Sequence, residues 1–167
     1  MAGKALRLRP RPHLHQISTS NGGVPKLPVP EARITVQGVV GDRQRNRVYH
    51  GGPDRAVCLF SLEVIEALQA EGHSIAPGSS GENLTLAGVE WAGLKPGARV
   101  RIGPTVHLEL TSYTAPCDQN AGWFLNGGFK QISQKRHPGW SRVYAMVLAE
   151  GVVRTGDAVV VESADSL

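Results

Sequence analysis

The sequence predicts a mainly β fold, a barrel of short strands with a few short helices. Three observations carry this. Gly and Pro are frequent together, 20 and 11 of 167 residues, which calls for many turns. Seven or eight short runs hold apolar residues either alternately or continuously, as in half-buried and buried strands. Helical spacing with both a start and a stop signal is clear in one place. A closed or partly closed barrel is the natural way for so many short strands to hide their edges.

The elements follow in order. Residues 1–12 read as a flexible basic arm, and residues 13–167 as a single domain. His13 to Thr19 reads as a first strand. His13 and His15 share one face of it, a spacing that suits a metal. With no third ligand nearby they read better as solvated histidines. Asn21 to Pro30 is a loop rich in breakers, with Lys26 as its single charge. Ala32 to Val40 reads as one strand, with Ile34, Val36 and Gly38 on alternate positions. Gly41 to Arg47 is a basic turn in which Asp42 can pin the Arg43 guanidinium. A fixed guanidinium offers planar, bidentate recognition of phosphate or carboxylate. Arg45 and Arg47 read as solvated. In Tyr49 to Arg55, two glycines and a proline hold a tight backbone beside His50 and Arg55. A histidine there either protonates a substrate near neutral pH or bonds to backbone.

Ala56 to Phe60 is a short apolar run, hence a central strand, and Cys58 in it reads as core. Ser61 caps a helix over Leu62 to Ala70, ended by Gly72. Pro77 to Gly81 is a small-residue loop able to bring backbone N–H groups to an anion. Asn83 follows, with an amide that both donates and accepts. A turn and strand run from Leu94 to Gly103. Then Val106, Leu108 and Leu110 alternate with polar residues up to Pro116-Cys117. Ala121 to Phe129 is a glycine-aromatic loop, and Phe129 to Lys135 a short helix. His137 to Arg142 is a turn. Val143 to Ala149 and Ala158 to Val161 are the last strands.

Composition narrows the function. Apolar content of 41% and charged content of 19% are those of a soluble globular protein. No apolar run approaches the length that spans a bilayer, and the first residues lack the apolar core of a secretory signal. Two cysteines and no CxxC pair point to a reducing cytoplasm. Residues 1–55 hold ten Lys/Arg against three Asp/Glu, and the remainder eight against eleven. The basic residues are scattered through turns and no recognition motif accompanies them. A compact anion is therefore a better partner than a nucleic acid.

Cys117 is the residue the chemistry centres on. Pro116 interrupts strand pairing because it has no N–H. Asp118, Gln119 and Asn120 suit a turn or helix start rather than a core. A thiol so placed either points into a cleft or is simply buried at a strand end.

Taken together, several stretches resemble the MOSC domain, named after the C-terminal part of molybdenum-cofactor sulfurases. They are Val24 to Val29 with Gly41-Asp-Arg-Gln44, His50-Gly-Gly-Pro-Asp-Arg-Ala56, Gly78-Ser-Ser-Gly-Glu-Asn-Leu-Thr85 and Ala115-Pro-Cys117. His137-Pro-Gly-Trp-Ser-Arg-Val-Tyr144 and Gly156-Asp157 also fit. The resemblance runs from about residue 13 to 162. It implies a MOSC-like β-barrel and a molybdenum cofactor (molybdopterin), with Cys117 as ligand to the metal or as a sulfur carrier. It places the cofactor's contacts on Lys26, Arg43, Arg55 and Asn83, and makes His50 the candidate for proton delivery. Family members of known activity reduce N-hydroxylated compounds. The expected function is thus a molybdenum-dependent oxidoreductase acting on a small N-hydroxylated molecule. The alternative is a non-catalytic carrier of sulfur, as a Cys117 persulfide, or of the cofactor. A nucleic-acid binder is the third and weakest reading. No cysteine set for an iron–sulfur cluster is present, so a reductase would need a separate electron-donor protein. The pyridoxal-phosphate domain of the sulfurases is absent from these residues, so no pyridoxal phosphate is expected.

Overall fold

The computed structural model describes residues 8–43 and 52–164. It contains eleven strands, β1 His13–Thr19, β2 Leu27–Val29, β3 Glu31–Thr35, β4 Gly38–Val39, β5 Val57–Ser61, β6 Leu84–Ala87, β7 Arg99–Ile102, β8 Val106–Tyr113, β9 Val143–Ala149, β10 Gly151–Arg154 and β11 Val159–Glu162. Among the described residues there is one α-helix, α1, over Leu62–Ala70. The mainly β expectation holds.

Eight strands form one sheet in the order β11-β7-β8-β9-β5-β6-β1-β2, and β10-β3-β4 form a second. The large sheet curls until its ends meet. An isolated antiparallel bridge joins His13 to Ala158, the residue before β11. Leu14 N donates to Asp157 O at 2.8 Å, and Val159 N to Pro12 O at 3.0 Å. The barrel is thus drawn together by a short seam rather than a full ladder, which leaves little edge to pair with another chain.

Side-chain alternation places the core. Val106, Leu108 and Leu110 of β8 are buried while the residues between them are half-buried. All five residues of β5 are buried, because β5 lies inside the sheet, antiparallel to β9 and parallel to β6. The crossover that a parallel pair requires is supplied by α1. Ser61 Oγ accepts from Val64 N at 3.2 Å and caps the helix. Val64, Ile65 and Leu68 turn inward onto the sheet.

Four expectations need correction. Ala32 to Val40 is not one strand, since a turn at Val36 and Gln37 folds it into the β3–β4 hairpin. Gly38 allows this. Its φ is +125°, and a Cβ there would meet the Ala56 carbonyl oxygen at 2.7 Å. The breaker-rich loop contains β2, and Gly151–Arg154 forms β10 against β3. Finally, the segment after Cys117 folds into tight 3-10 turns, Asp118–Trp123, Leu125–Gly127 and Phe129–Ile132, so the short helix expected through Lys135 is one such turn.

Candidate functional site

One end of the barrel carries a small pocket of ≈ 80 Å³, open to solvent. Residues distant in sequence reach it for identifiable reasons. Cys58 comes from β5, whose Cα partner across the ladder is Tyr144 of β9. Cys117 follows the last residues of β8, where Pro116 has ended the pairing. Lys26 precedes β2, and Ser80, Gly81 and Asn83 precede β6. All of these line the pocket, together with Asn120 and Arg142.

Asn83 organises the wall nearest β5. Its side-chain Oδ1 accepts from Cys58 N at 3.0 Å, and its backbone N donates to Cys58 O at 2.8 Å. Its Nδ2 donates to Asp42 Oδ2 at 2.9 Å. Asp42 Oδ1 in turn accepts from Lys26 Nζ at 2.6 Å and from Ser20 N at 2.9 Å. Asp42 therefore pins Lys26 rather than Arg43, contrary to the sequence reading. The reason is the fold: Lys26 enters the interior beside Asp42, whereas Arg43 is exposed and lines a separate depression with residues of the β3–β4 hairpin.

The loop before β6 is held from behind by Glu82, which is fully buried. Its carboxylate accepts from Gly78 N, from Ser80 Oγ at 2.6 Å and from Thr85 Oγ1 at 3.4 Å. Burial raises its carboxyl above the ordinary range, against the pull of the Ser80 and Gly78 donors and of the Arg142 charge. The carbonyl of Ser80 faces the other way and accepts from Arg142 Nη1 at 2.6 Å and Asn120 Nδ2 at 3.3 Å. Arg142 Nη2 donates to Ala115 O at 3.2 Å. One guanidinium thus ties the loop before β6 to the Cys117 loop.

The two thiols differ in setting. Cys58 is buried and its Sγ lies 3.8 Å from Thr114 Oγ1. Desolvation pushes its pKa up to about 11, so at neutral pH it is a protonated thiol. Cys117 is half-buried, with Sγ 3.5 Å from Asp118 Oδ1, and its sulfur is the accessible one. Tyr144 closes the pocket beside Cys58, and Arg55 lies over its ring at 5.6 Å from the centroid. Burial, then the neighbouring Cys58, raises the Tyr144 phenol to about 12.

Of the residues singled out in the sequence, the fold brings Cys117, Lys26 and Asn83 to one pocket. Arg55 reaches it indirectly, through Tyr144. Arg43 faces elsewhere, and His50 lies outside the described residues. Cys58, read as core, is both core and pocket wall. Arg142, read as part of a turn, is a pocket residue. Its nearest signal was its place one residue before an apolar strand, where a charge needs a reason. Among the described residues, no cluster of three or more His, Cys, Asp or Glu is arranged to hold a metal ion. His13 and His15 sit with ring centroids 6.5 Å apart, and His13 Nδ1 bonds to Arg11 O. No helix among the described residues is long and apolar enough to cross a membrane.

Comparisons with known proteins agree with this architecture. The family model described as the MOSC domain matches residues 46–160. The uncharacterized protein YflK of Bacillus subtilis is 31% identical over 137 residues, covering 80% of this chain and 60% of that protein. Protein YiiM of Escherichia coli is 29% identical over 147 residues, covering 80% of this chain and 65% of that protein. The chain thus spans about three fifths to two thirds of the length of these curated relatives. Among solved structures, YiiM from Geobacillus stearothermophilus superposes with a TM-score of 0.70 at 21% identity, over 91% of this chain and 75% of that one. Escherichia coli YiiM gives 0.68 at 24%, over 92% and 71%. At these identities the superpositions show a shared fold.

Proposed function

The chain belongs to the MOSC domain family, and from this premise and the thiol-lined pocket we propose that it binds a molybdenum cofactor through Cys117 and reduces a small N-hydroxylated compound. The observation that carries the reading is the half-buried, free Cys117 thiol, which lines a pocket together with Lys26, Asn83, Asn120 and Arg142.

The donor set fits such a group. A thiolate is a soft ligand suited to a sulfur-rich metal centre. With no protein cluster offering further ligands among the described residues, the remaining ligands would come from the cofactor itself. Buried polar atoms at the pocket, Asn120 Oδ1 and Arg142 Nε, have no partner, which is how a wall built to receive a polar ligand looks before it does so. When bound, the cofactor supplies the two-electron chemistry at molybdenum.

This chain's own residues bind and orient. Cys117 anchors the metal from the mouth of the pocket. Lys26 and Asn83, already fixed through Asp42, offer a preorganised polar edge that need not reorganise on binding. Tyr144, steadied by Arg55, walls the far side. Cys58 keeps its proton at neutral pH, which leaves Cys117 as the thiol for ligation. Two electrons come from a separate donor protein.

The test is molybdenum and pterin content of protein made anaerobically in a host that synthesises the cofactor, wild type beside Cys117→Ala. Bound metal and pterin in the wild type, with metal lost in the variant, is the expected result. No cofactor in either refutes the reading.

A second reading, that of a sulfur carrier, is favoured by one observation. Two thiols line the same pocket, so a persulfide on Cys117 would sit in a recess shared with the protonated Cys58. Mass spectrometry of the protein made with a sulfur donor distinguishes it: a carrier gains one sulfur atom on Cys117, and the gain disappears on reduction.

A further inference from the structure

We propose that His73 is a positioning residue of the pocket wall. In its neutral form it holds the turns that follow Cys117, and on taking up a proton it releases them. This role concerns the wall whatever the pocket binds, and so stands apart from the cofactor reading.

The turns begin at the pocket. Asn120 N donates to Cys117 O at 3.0 Å, and Phe124 N to Ala121 O at 3.2 Å. Gln119 and Asn120 line the pocket beside Cys117. Residues 118–128 form no strand or α-helix, so their position depends on what ties them down.

Hydrogen bonds anchor them to the segment just after α1. Ser74 N donates to Trp123 O at 3.0 Å. Leu125 N donates to His73 Nδ1 at 2.9 Å. On the following turn, Gln131 Nε2 donates to Glu71 Oε2 at 3.3 Å. The bond between Ser74 and Trp123 joins backbone to backbone and does not titrate. The bond to His73 does, because histidine exchanges a proton near neutral pH.

The ring is held firmly. His73 N donates to Leu68 O at 3.2 Å, which closes the end of α1. The side chain is 7% exposed, and its ring is tilted against Phe124 with centroids 5.2 Å apart. A backbone N–H donates, so Nδ1 is the bare nitrogen and Nε2 carries the proton. Nε2 faces Glu71 Oε2 at 3.4 Å. The ring thus meets the Glu71 carboxylate from the end of α1, and the uncharged Leu125 amide and Phe124 ring from the turns. Gln131 reaches the same Glu71 oxygen, and its chain neighbour Lys130 is exposed.

Protonation changes one contact and keeps the other. The proton goes to Nδ1, which then meets the Leu125 N–H as donor against donor, and that hydrogen bond is lost. Nε2–H still faces Glu71, now as an ion pair. The ring stays with α1 while the turn comes away from it. The loosening runs back from Leu125 through Phe124 to Asn120 and to Gln119, an exposed residue at the pocket next to Cys117.

The experiment uses the whole wild-type chain without cofactor, followed by ¹⁵N NMR from about pH 8 to about pH 5, where histidine titrates. At the upper pH the His73 ring is expected to carry its proton on Nε2. As pH falls, the Leu125, Asn120 and Gln119 amides shift with the midpoint of the His73 ring. Exchange of the Leu125 amide, corrected for its intrinsic pH dependence, speeds up about three- to tenfold, the worth of one hydrogen bond. His73→Asn, whose carbonyl accepts from Leu125 N without titrating, keeps that amide slow throughout. His73→Phe makes it fast throughout. A residue that merely filled space would leave the wild type without this pH dependence. A proton on Nδ1 at the upper pH, a Leu125 midpoint that departs from the ring's, or still Gln119 and Asn120 amides while Leu125 moves overturns the proposal. If either variant fails to fold, the wild-type titration decides. The result stands or falls separately from the metal content measured for Cys117→Ala.

Discussion

Lys26 Nζ lies 2.6 Å from Asp42 Oδ1, with the two side chains 8% and 5% exposed. The pair joins the loop before β2 to the turn after β4, and through Asn83 it reaches the ladder of β5. Removing one partner strands the other's charge in the interior. Asp42→Leu is therefore expected to lower the unfolding free energy by about 3–5 kcal/mol. The double variant Lys26→Met, Asp42→Leu should lose less than the sum of the singles. Urea unfolding of all four proteins measures the coupling, and additive losses would refute it.

The two thiols should be separable by reagent. Cys117 is accessible and Cys58 is buried and protonated at neutral pH. Under native conditions iodoacetamide is expected to label Cys117 first, with Cys58 reacting on unfolding. Peptide mass spectrometry against time reads this directly. Equal rates would mean that the interior around β5 opens readily.

Alkaline pH should destabilise the fold, with a sign set by the interior. Cys58 titrates at about 11 in the fold against an ordinary 9.0, and Tyr144 at about 12 against 10.0. Both pKa values are raised by folding, so their contribution is complete below about pH 9 and is lost as pH rises through the folded values. For Cys58 the loss is at most about 3 kcal/mol. Thermal unfolding of Cys58→Ala from pH 8 to 11 should show a shallower decline than the wild type, whatever its starting stability. Parallel declines would count against this assignment.

Gly78 should resist any side chain. Its φ is +85°, and a Cβ there runs into the Lys26 carbonyl oxygen and comes within 3.0 Å of Ser18 Oγ. Gly78→Ala is expected to cost more than about 1 kcal/mol and to loosen the loop behind Arg142. Gly22 also has positive φ, +108°, but faces open space, so Gly22→Ala should cost less. Denaturation midpoints of the two variants decide the comparison.

Local signals in the sequence located what local physics determines. Ser61 and Gly72 frame α1, and the alternation from Val106 to Leu110 locates β8 because one face is buried. The Val36–Gln37 turn was hidden because Val36 continues the apolar alternation, although it is exposed in the fold. β10 was missed because its partner β3 lies far away in sequence, and pairing of that kind leaves no mark on either segment alone. The site followed the same rule. Cys117 was legible from Pro116 and the polar residues after it. Arg142 was not, since the carbonyls that hold it belong to residues 62 and 27 positions away.

The seam between His13 and Ala158 has a consequence for how the chain acquires its shape. The first strand cannot find its closing partner before the ribosome has delivered nearly all of the described chain. Until then β7 lacks β11, the first half of β1 has no partner on the side where β2 pairs its second half, and the nascent protein is an open, curved sheet. Sealing the seam is therefore expected among the last events of folding, after the more local hairpins have formed. During that interval those edges are where the chain is most vulnerable to pairing with a second copy.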